Sequence, residues 1–318
     1  MNRKMNYKDI FYHEIQNCQF QPASITQKTD DPALAEINRL FGLADALSIK
    51  NGKRHRKILL GLSIVSTLLT FTFLIYDEVE MYGLIFACAA LLSGLFVLGY
   101  YSRKSDYHRK YLQYRILAEA LRLQYYLSLA AVKTNVVEIM PWSIRKSVVW
   151  IEEVLKTVPV AVAPKKHSVL KCWIVAQKSY HEKALIRTEK KNHQDKTISK
   201  SVTFVTVMTY LLALIFELSV YQHSTFSVDV NLIRMILKIV LGTMSAITLF
   251  TGSYYGKMSL ASKIDDHKRM IALYQKSEEE ILRHGETDQL LLSLAREYLN
   301  ENSSWYAYQK KNGPDLVL

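Results

Sequence analysis

Residues Ile58–Tyr76 read ILLGLSIVSTLLTFTFLIY, and after Asp77-Glu78-Val79-Glu80 and Met81 the chain resumes with YGLIFACAALLSGLFVLGYY over Tyr82–Tyr101. A helix needs ~20 mostly apolar residues to cross the ~30 Å hydrocarbon core of a bilayer. Both runs meet that length with no charged residue inside them. The same pattern returns at Val202–Tyr221 and at about Leu232–Tyr255. The expected fold is therefore an all-α integral membrane protein: two transmembrane hairpins (four spans) with long cytosolic helices packed as a helical layer.

Composition agrees. The chain has 318 residues and is 49% apolar, yet its mean hydropathy is zero, as expected when apolar spans alternate with very polar segments. The net charge of +12 is concentrated beside the spans. Lys50, Lys53, Arg54, Arg56 and Lys57 precede the first span, and Arg103, Lys104, Arg109 and Lys110 follow the second. Lys190, Lys191, Lys196 and Lys200 precede the third, and Lys257, Lys263, Lys268 and Arg269 follow the fourth. The turns at 77–80 and 222–229 carry no basic residue. The positive-inside rule then places both termini and the central segment in the cytosol. Membrane lipids are the expected partner of the basic flanks. No nucleic acid is expected, because no module pairs a basic face with base-stacking aromatics. Residues 1–50 are polar and lack the apolar core of a cleavable signal peptide. Cys18, Cys88 and Cys172 form no metal-type spacing and read as free thiols.

The domain reading runs in five parts. Residues 1–34 form a poorly ordered lead, 35–133 a first helix-hairpin-helix unit, and 134–170 a short helical connector bounded by Pro141, Pro159 and Pro164. Residues 171–284 form a second such unit, and 285–318 a C-terminal helix and tail. The repeated order suggests a tandem duplication, each half leaving the membrane through a tyrosine pair, Tyr100-Tyr101 and Tyr254-Tyr255. The second span and the segment after it read as one helix of ~50 residues. In that segment Tyr107, Tyr111, Tyr114, Ala118, Leu121 and Tyr125 mark one packing seam, with Arg115, Glu119 and Arg122 at pairing distance beside it.

Chemistry-bearing motifs are scarce. His181-Glu182 begins like a zinc helix, but Leu185 stands where the second ligand belongs. No Gly-rich phosphate loop follows a strand. The chain is not expected to be an enzyme, and neither a cofactor nor a metal is expected. The informative residues are charges within the spans: Glu217 in the third, and Arg234 and Lys238 four apart in the fourth. A charge in a membrane faces a partner or water. Three readings stand side by side: an ion pair of Glu217 with Arg234 or Lys238, an aqueous path lined by Arg234 and Lys238 in an assembly of copies, or snorkelling to the headgroups. Small residues four apart, Ala90/Gly94, Gly242/Ala246 and Gly252/Gly256, permit close helix approach.

The stretch Tyr114-Arg115-Ile116-Leu117-Ala118-Glu119-Ala120-Leu121-Arg122 resembles the YR-x-x-AE-x-LR signature of SLATT membrane domains, which accompany SLOG nucleotide-sensing domains in bacterial conflict systems. Ala44-Asp45-Ala46-Leu47, Trp173-Ile174 with Gln177 and Tyr180, and Glu301-Asn302 with Trp305 are similar to three further landmarks of that family, in the same order. The resemblance implies an antiviral membrane effector of the bacterial cytoplasmic membrane. It would form a homo-oligomer and open a pore on a signal from a separate cytosolic nucleotide-sensing protein, since about 35 residues before the first helix are too few for a SLOG domain. It further implies that Arg115, Glu119 and Arg122, with Tyr114 and Leu121, serve cytosolic packing or signal relay. The alternative is a non-conducting scaffold that docks a soluble sensor or enzyme.

Overall fold

The computed structural model describes residues 7–16, 31–79, 81–158, 160, 168–222 and 229–311, and among these every regular element is helical. Four helical stretches are long and apolar enough to cross a membrane. Cys18, Pro159, Pro164, most of the second turn and the C-terminal tail lie outside the described residues. The chain divides into two compact units. The first draws on Met1–His55, Asp106–Leu185 and Asp265–Gly313, the second on Arg56–Ser105 and Ile186–Ile264.

Helix α1, Tyr7–Gln16, lies in the stretch read above as an unordered lead. Its anchor is Phe11, fully buried against Tyr114 and Trp150 with ring centroids 5.7 and 5.6 Å away. Sequence periodicity over ten residues is too short to reveal such a helix, which exists because an aromatic pocket receives it. Helix α2, Pro32–Val79, runs 48 residues from the first unit into the second without a break. Helix α3, Leu84–Ser105, stops at Asp106, which adopts left-handed backbone angles (φ 53°, ψ 29°), and α4, Tyr107–Leu129, begins after it. The continuous helix expected here is thus two helices. Aspartate tolerates the left-handed region better than most residues, and Asp106 also holds Arg109 one turn on, Nε to Oδ2 at 2.6 Å.

The connector holds α5 (Val136–Ile139), α6 (Trp142–Ser147) and α7 (Val149–Thr157). A π-helical turn, Leu170–Val175, then leads into α8, Ala176–Gln222. The turn's first amides are satisfied from a distance: the Glu286 carboxylate accepts from Val169 N at 3.1 Å and Leu170 N at 3.0 Å. Helix α9, Val230–Met258, is capped by Asp229, whose side chain accepts from the amides of Asn231 and Leu232, and ends at left-handed Ser259 (φ 49°). Helix α10, Leu260–His284, closes at Gly285 (φ 78°), the residue type that adopts positive φ without steric cost. Helix α11, Asp288–Lys311, follows.

In the first unit α4 is the axis. Every residue from Leu112 to Leu129 except Arg115 is buried, so the expected one-sided seam is in fact a helix covered all round. Its cover comes from sequence-distant elements. Ser48 Oγ of α2 donates to Tyr111 O at 3.3 Å, Trp150 Nε1 of α7 donates to Gln113 Oε1 at 3.0 Å, and Trp173 stacks on Tyr126 at 5.4 Å and 8°. Gly52 of α2 meets the Tyr111 ring so closely that a Cβ would lie 3.0 Å from it.

The second unit is built differently. Hydroxyls within its apolar segments, among them Thr67, Ser93, Thr206, Thr209, Thr243 and Ser245, donate to the carbonyl four residues back at 2.7–3.0 Å. This satisfies polar groups where no water is at hand. Gly61 approaches Leu98 of α3, and Gly242 faces Leu74 of α2 so closely that any Cβ would displace the leucine. Ala246, four residues on, is buried. Of the spaced small pairs, Gly242/Ala246 therefore marks an intrachain contact, whereas Gly94, Gly252 and Gly256 have open space at the Cβ position.

The end of α4 yields a stability test. Val132 N donates to Leu127 O and Ala131 N to Ser128 O, at 2.9 and 3.0 Å, with Ala131 at φ 61°. This is the Schellman pattern with alanine where glycine is usual. Ala131→Gly should raise stability by about 1 kcal/mol, visible as a higher midpoint in thermal unfolding of detergent-solubilised protein.

Candidate functional site

The interior of the first unit contains charge. Glu119, with a side chain only 2% exposed, lies between two guanidiniums on its own helix: Arg115 Nη2 is 2.5 Å from Oε1, and Arg122 contacts Oε2. Helical spacing of three and four residues brings all three to one face. Tyr298 of α11 completes the group, donating its hydroxyl to Glu119 Oε2 while accepting from Arg122. The Arg122 guanidinium also lies over the Tyr298 ring, 5.7 Å from its centroid. From α2, Asp45 Oδ1 accepts from Arg115 Nη1 at 3.0 Å. Two cations and two carboxylates from α2 and α4 thus meet a tyrosine of α11.

Each member's ionisation follows from burial set against its neighbours. Burial opposes charge on Glu119 most strongly, but Arg115, Arg122 and the Tyr298 hydroxyl together outweigh it and hold its carboxyl below the ordinary range. For both arginines burial acts against the charge and Glu119 prevails, so both stay protonated. Asp45 is shifted upward, burial exceeding the attraction of Arg115. Burial also pushes up the phenols of Tyr298 and Tyr274, and that of Tyr126 to about 12. The Tyr274 hydroxyl is buried without a well-formed hydrogen bond.

Beside this network His181 of α8 and His267 of α10 bring their Nδ1 atoms to 3.1 Å, with the Tyr274 ring 6.0 Å from the His181 ring and tilted by 31°. Burial, then His267, depresses His181 to about 4, so His181 is neutral at physiological pH and its Nδ1 can accept from or donate to His267 according to tautomer. No cluster of three or more His, Cys, Asp or Glu able to hold a metal occurs among the described residues.

The remaining sequence candidates fall in two places. Tyr114 is fully buried and donates to Glu14 of α1 at 3.1 Å, and Leu121 is buried in the same core. Both pack around the axis helix. The span charges lie in the second unit. Arg234 binds Glu217 bidentately, Nε to Oε1 and Nη2 to Oε2 at 2.7 Å each. Lys238 pairs not with Glu217 but with Glu78 of α2, at 3.2 Å. One face of α9 is therefore tied to α8 by Arg234 and to α2 by Lys238. Sequence reading missed Glu78, which it placed in a turn but which belongs to the last residues of α2, and it missed Tyr298, His267 and Glu286 as partners. Each joins residues far apart in the chain, and no local spacing signals such a contact.

Compared with known proteins, the chain matches no protein-family model, no curated protein and no solved structure.

Two outcomes test the network. Glu119→Gln leaves Arg122 without a carboxylate partner in a nearly dry site, Arg115 keeping Asp45, and should cost about 3–5 kcal/mol, whereas Glu119→Leu, Arg122→Met and Tyr298→Phe together should recover most of that loss. Thermal unfolding in detergent compares them. Unfolded His181 takes up a proton near 6.5 and the folded form only near 4. Stability should therefore be intact above pH 6.5 and fall as pH drops from 6.5 to 4, a slope that His181→Leu should flatten.

Proposed function

We propose that this chain is a multi-pass effector of the bacterial cytoplasmic membrane, with both termini cytosolic, that assembles with further copies of itself and permeabilises the membrane when a separate nucleotide-sensing protein engages its first unit. One observation carries the reading. In the most apolar window of each candidate span, only 6–17% of the residues are buried within the chain. A single copy leaves nearly all of that apolar surface for lipid and for other copies, and association between such helices proceeds through packing and polar contacts.

Two further observations support it. Arg234 and Lys238 occupy one face of α9, each opposite a carboxylate of another helix; such pairs can be exchanged between helices when copies assemble. The stretches that resemble SLATT landmarks also converge on the first unit's core: Asp45 on Arg115, Trp173 on Tyr126, and Trp305 against Tyr111 at 6.1 Å. The succession of a long helix, an apolar helix, a left-handed residue and a further helix occurs twice, in α2–α4 and in α8–α10, which supports a tandem duplication.

A second reading, the non-conducting scaffold, is favoured by the completeness of the same ion pairs. Charges that are already paired need no water and hold three helices together.

Membrane potential in a bacterial host, followed with a voltage-sensitive dye during induction, separates the two. The effector reading expects depolarisation that disappears in an Arg234→Leu, Lys238→Leu variant present at equal membrane level. Undiminished flux from that variant removes both residues from the path. Retention of full flux by the exchanged pair Glu217→Arg, Arg234→Glu would assign that pair to helix packing alone. Absence of depolarisation under every condition, including co-expression with nucleotide sensors, would favour the scaffold.

A further inference from the structure

Apart from the α4 network and the spans, the first unit has an open cavity of about 410 Å³ between α6 and the end of α11. Its walls carry Ser143 and Ser147 from α6 and Ser303, Tyr306, Lys310 and Lys311 from α11. The spacing explains the convergence: 303, 306, 310 and 143, 147 each recur at three to four residues, so each set lies on one face of its helix. The base is apolar and closed, formed by Ile144 and the Tyr306 ring, 1% and 4% exposed.

Every polar side chain at this cavity can donate. Two ammonium groups, three serine hydroxyls and the Tyr306 phenol belong to its lining residues, and among the described residues no carboxylate does. Ser143 and Ser303 hydroxyls are hydrogen-bonded to each other at 2.7 Å, and the one that accepts keeps its own hydrogen for an incoming acceptor. Among the described residues neither lysine has a carboxylate partner; Lys310 lies 6.0 Å over the Tyr306 ring. Lys146, next to Ser147 in sequence, lies 5.1 Å above the exposed Trp142 ring. The neighbouring Arg145, in contrast, is committed to Glu152 at 2.9 Å. With positive charge, hydroxyl donors and no negative group among the described residues, this lining suits a phosphate ester, for which lysine acts as a point charge. The volume lies within the ~300–1,000 Å³ typical of small-molecule sites, larger than a bare phosphate needs. The apolar base accepts the rest of the ligand.

We propose that this cavity binds a phosphate-bearing small molecule, either a soluble phosphate ester or the headgroup of an anionic phospholipid, with Lys310, Lys311 and the facing Ser143 and Ser303 hydroxyls holding the phosphate. The site stands whether or not the spans conduct.

The full chain is reconstituted in phosphatidylcholine nanodiscs and titrated calorimetrically with adenosine diphosphate and with inorganic phosphate. The same protein is melted in discs with and without phosphatidylglycerol. The comparison variant, Lys310→Gln with Lys311→Gln, changes two exposed side chains, and circular dichroism verifies its helix content. A variant with arginine at both positions retains the charge. Saturable adenosine diphosphate binding that weakens about tenfold or more in the glutamine variant and persists in the arginine variant supports the site with a soluble ligand. No such binding, but a rise in the melting midpoint with phosphatidylglycerol that the glutamine variant loses, supports it with a lipid headgroup. If neither titration nor phosphatidylglycerol distinguishes wild type from the glutamine variant, the proposal is overturned.

Discussion

Removing two guanidiniums from water is the constraint around which the first unit is built. An isolated buried cation costs several kcal/mol, and attraction repays that cost only when geometry is good and every remaining donor is satisfied. Glu119 and Asp45 provide the opposite charge, and Tyr298 accepts from Arg122 while donating to Glu119. Those requirements determine where α2 and α11 must lie against α4, because apolar packing alone tolerates sliding whereas a bidentate or shared-oxygen contact does not. The polar core thus sets registers that leucines and tyrosines around it would leave loosely defined.

The second unit answers a different constraint. In hydrocarbon no water stands ready to satisfy polar groups, so the backbone stays helical and Ser and Thr hydroxyls bond to their own turns. Its interhelix ties include the Gly61–Leu98 and Gly242–Leu74 approaches and the ion pairs from Arg234 and Lys238. A densely buried axis helix in one unit thus contrasts with spans that have few covered residues in the other.

Backbone continuity differs along the chain in a related way. Helices α2 and α8 pass from the first unit's residues to the second's without interruption, whereas the returns occur near left-handed Asp106 and Ser259. Both are non-glycine residues in a region costing about 1–2 kcal/mol. They end the helices that composition alone would have let run on.

The sequence by itself determined that the chain is helical and carries four membrane-length segments, because run length and charge flanks are local properties that a bilayer reads directly. It also placed Arg115, Glu119 and Arg122 at pairing distance, since i, i+3 and i, i+4 neighbours follow from helix geometry. Only tertiary structure decided that α4 is buried on all sides and that Phe11 anchors a helix in an apparent lead. It alone chose Glu78 for Lys238, and Tyr298 for the arginine–glutamate group. Those contacts join residues whose separation in sequence carries no periodic signal, so they exist only once distant helices have packed.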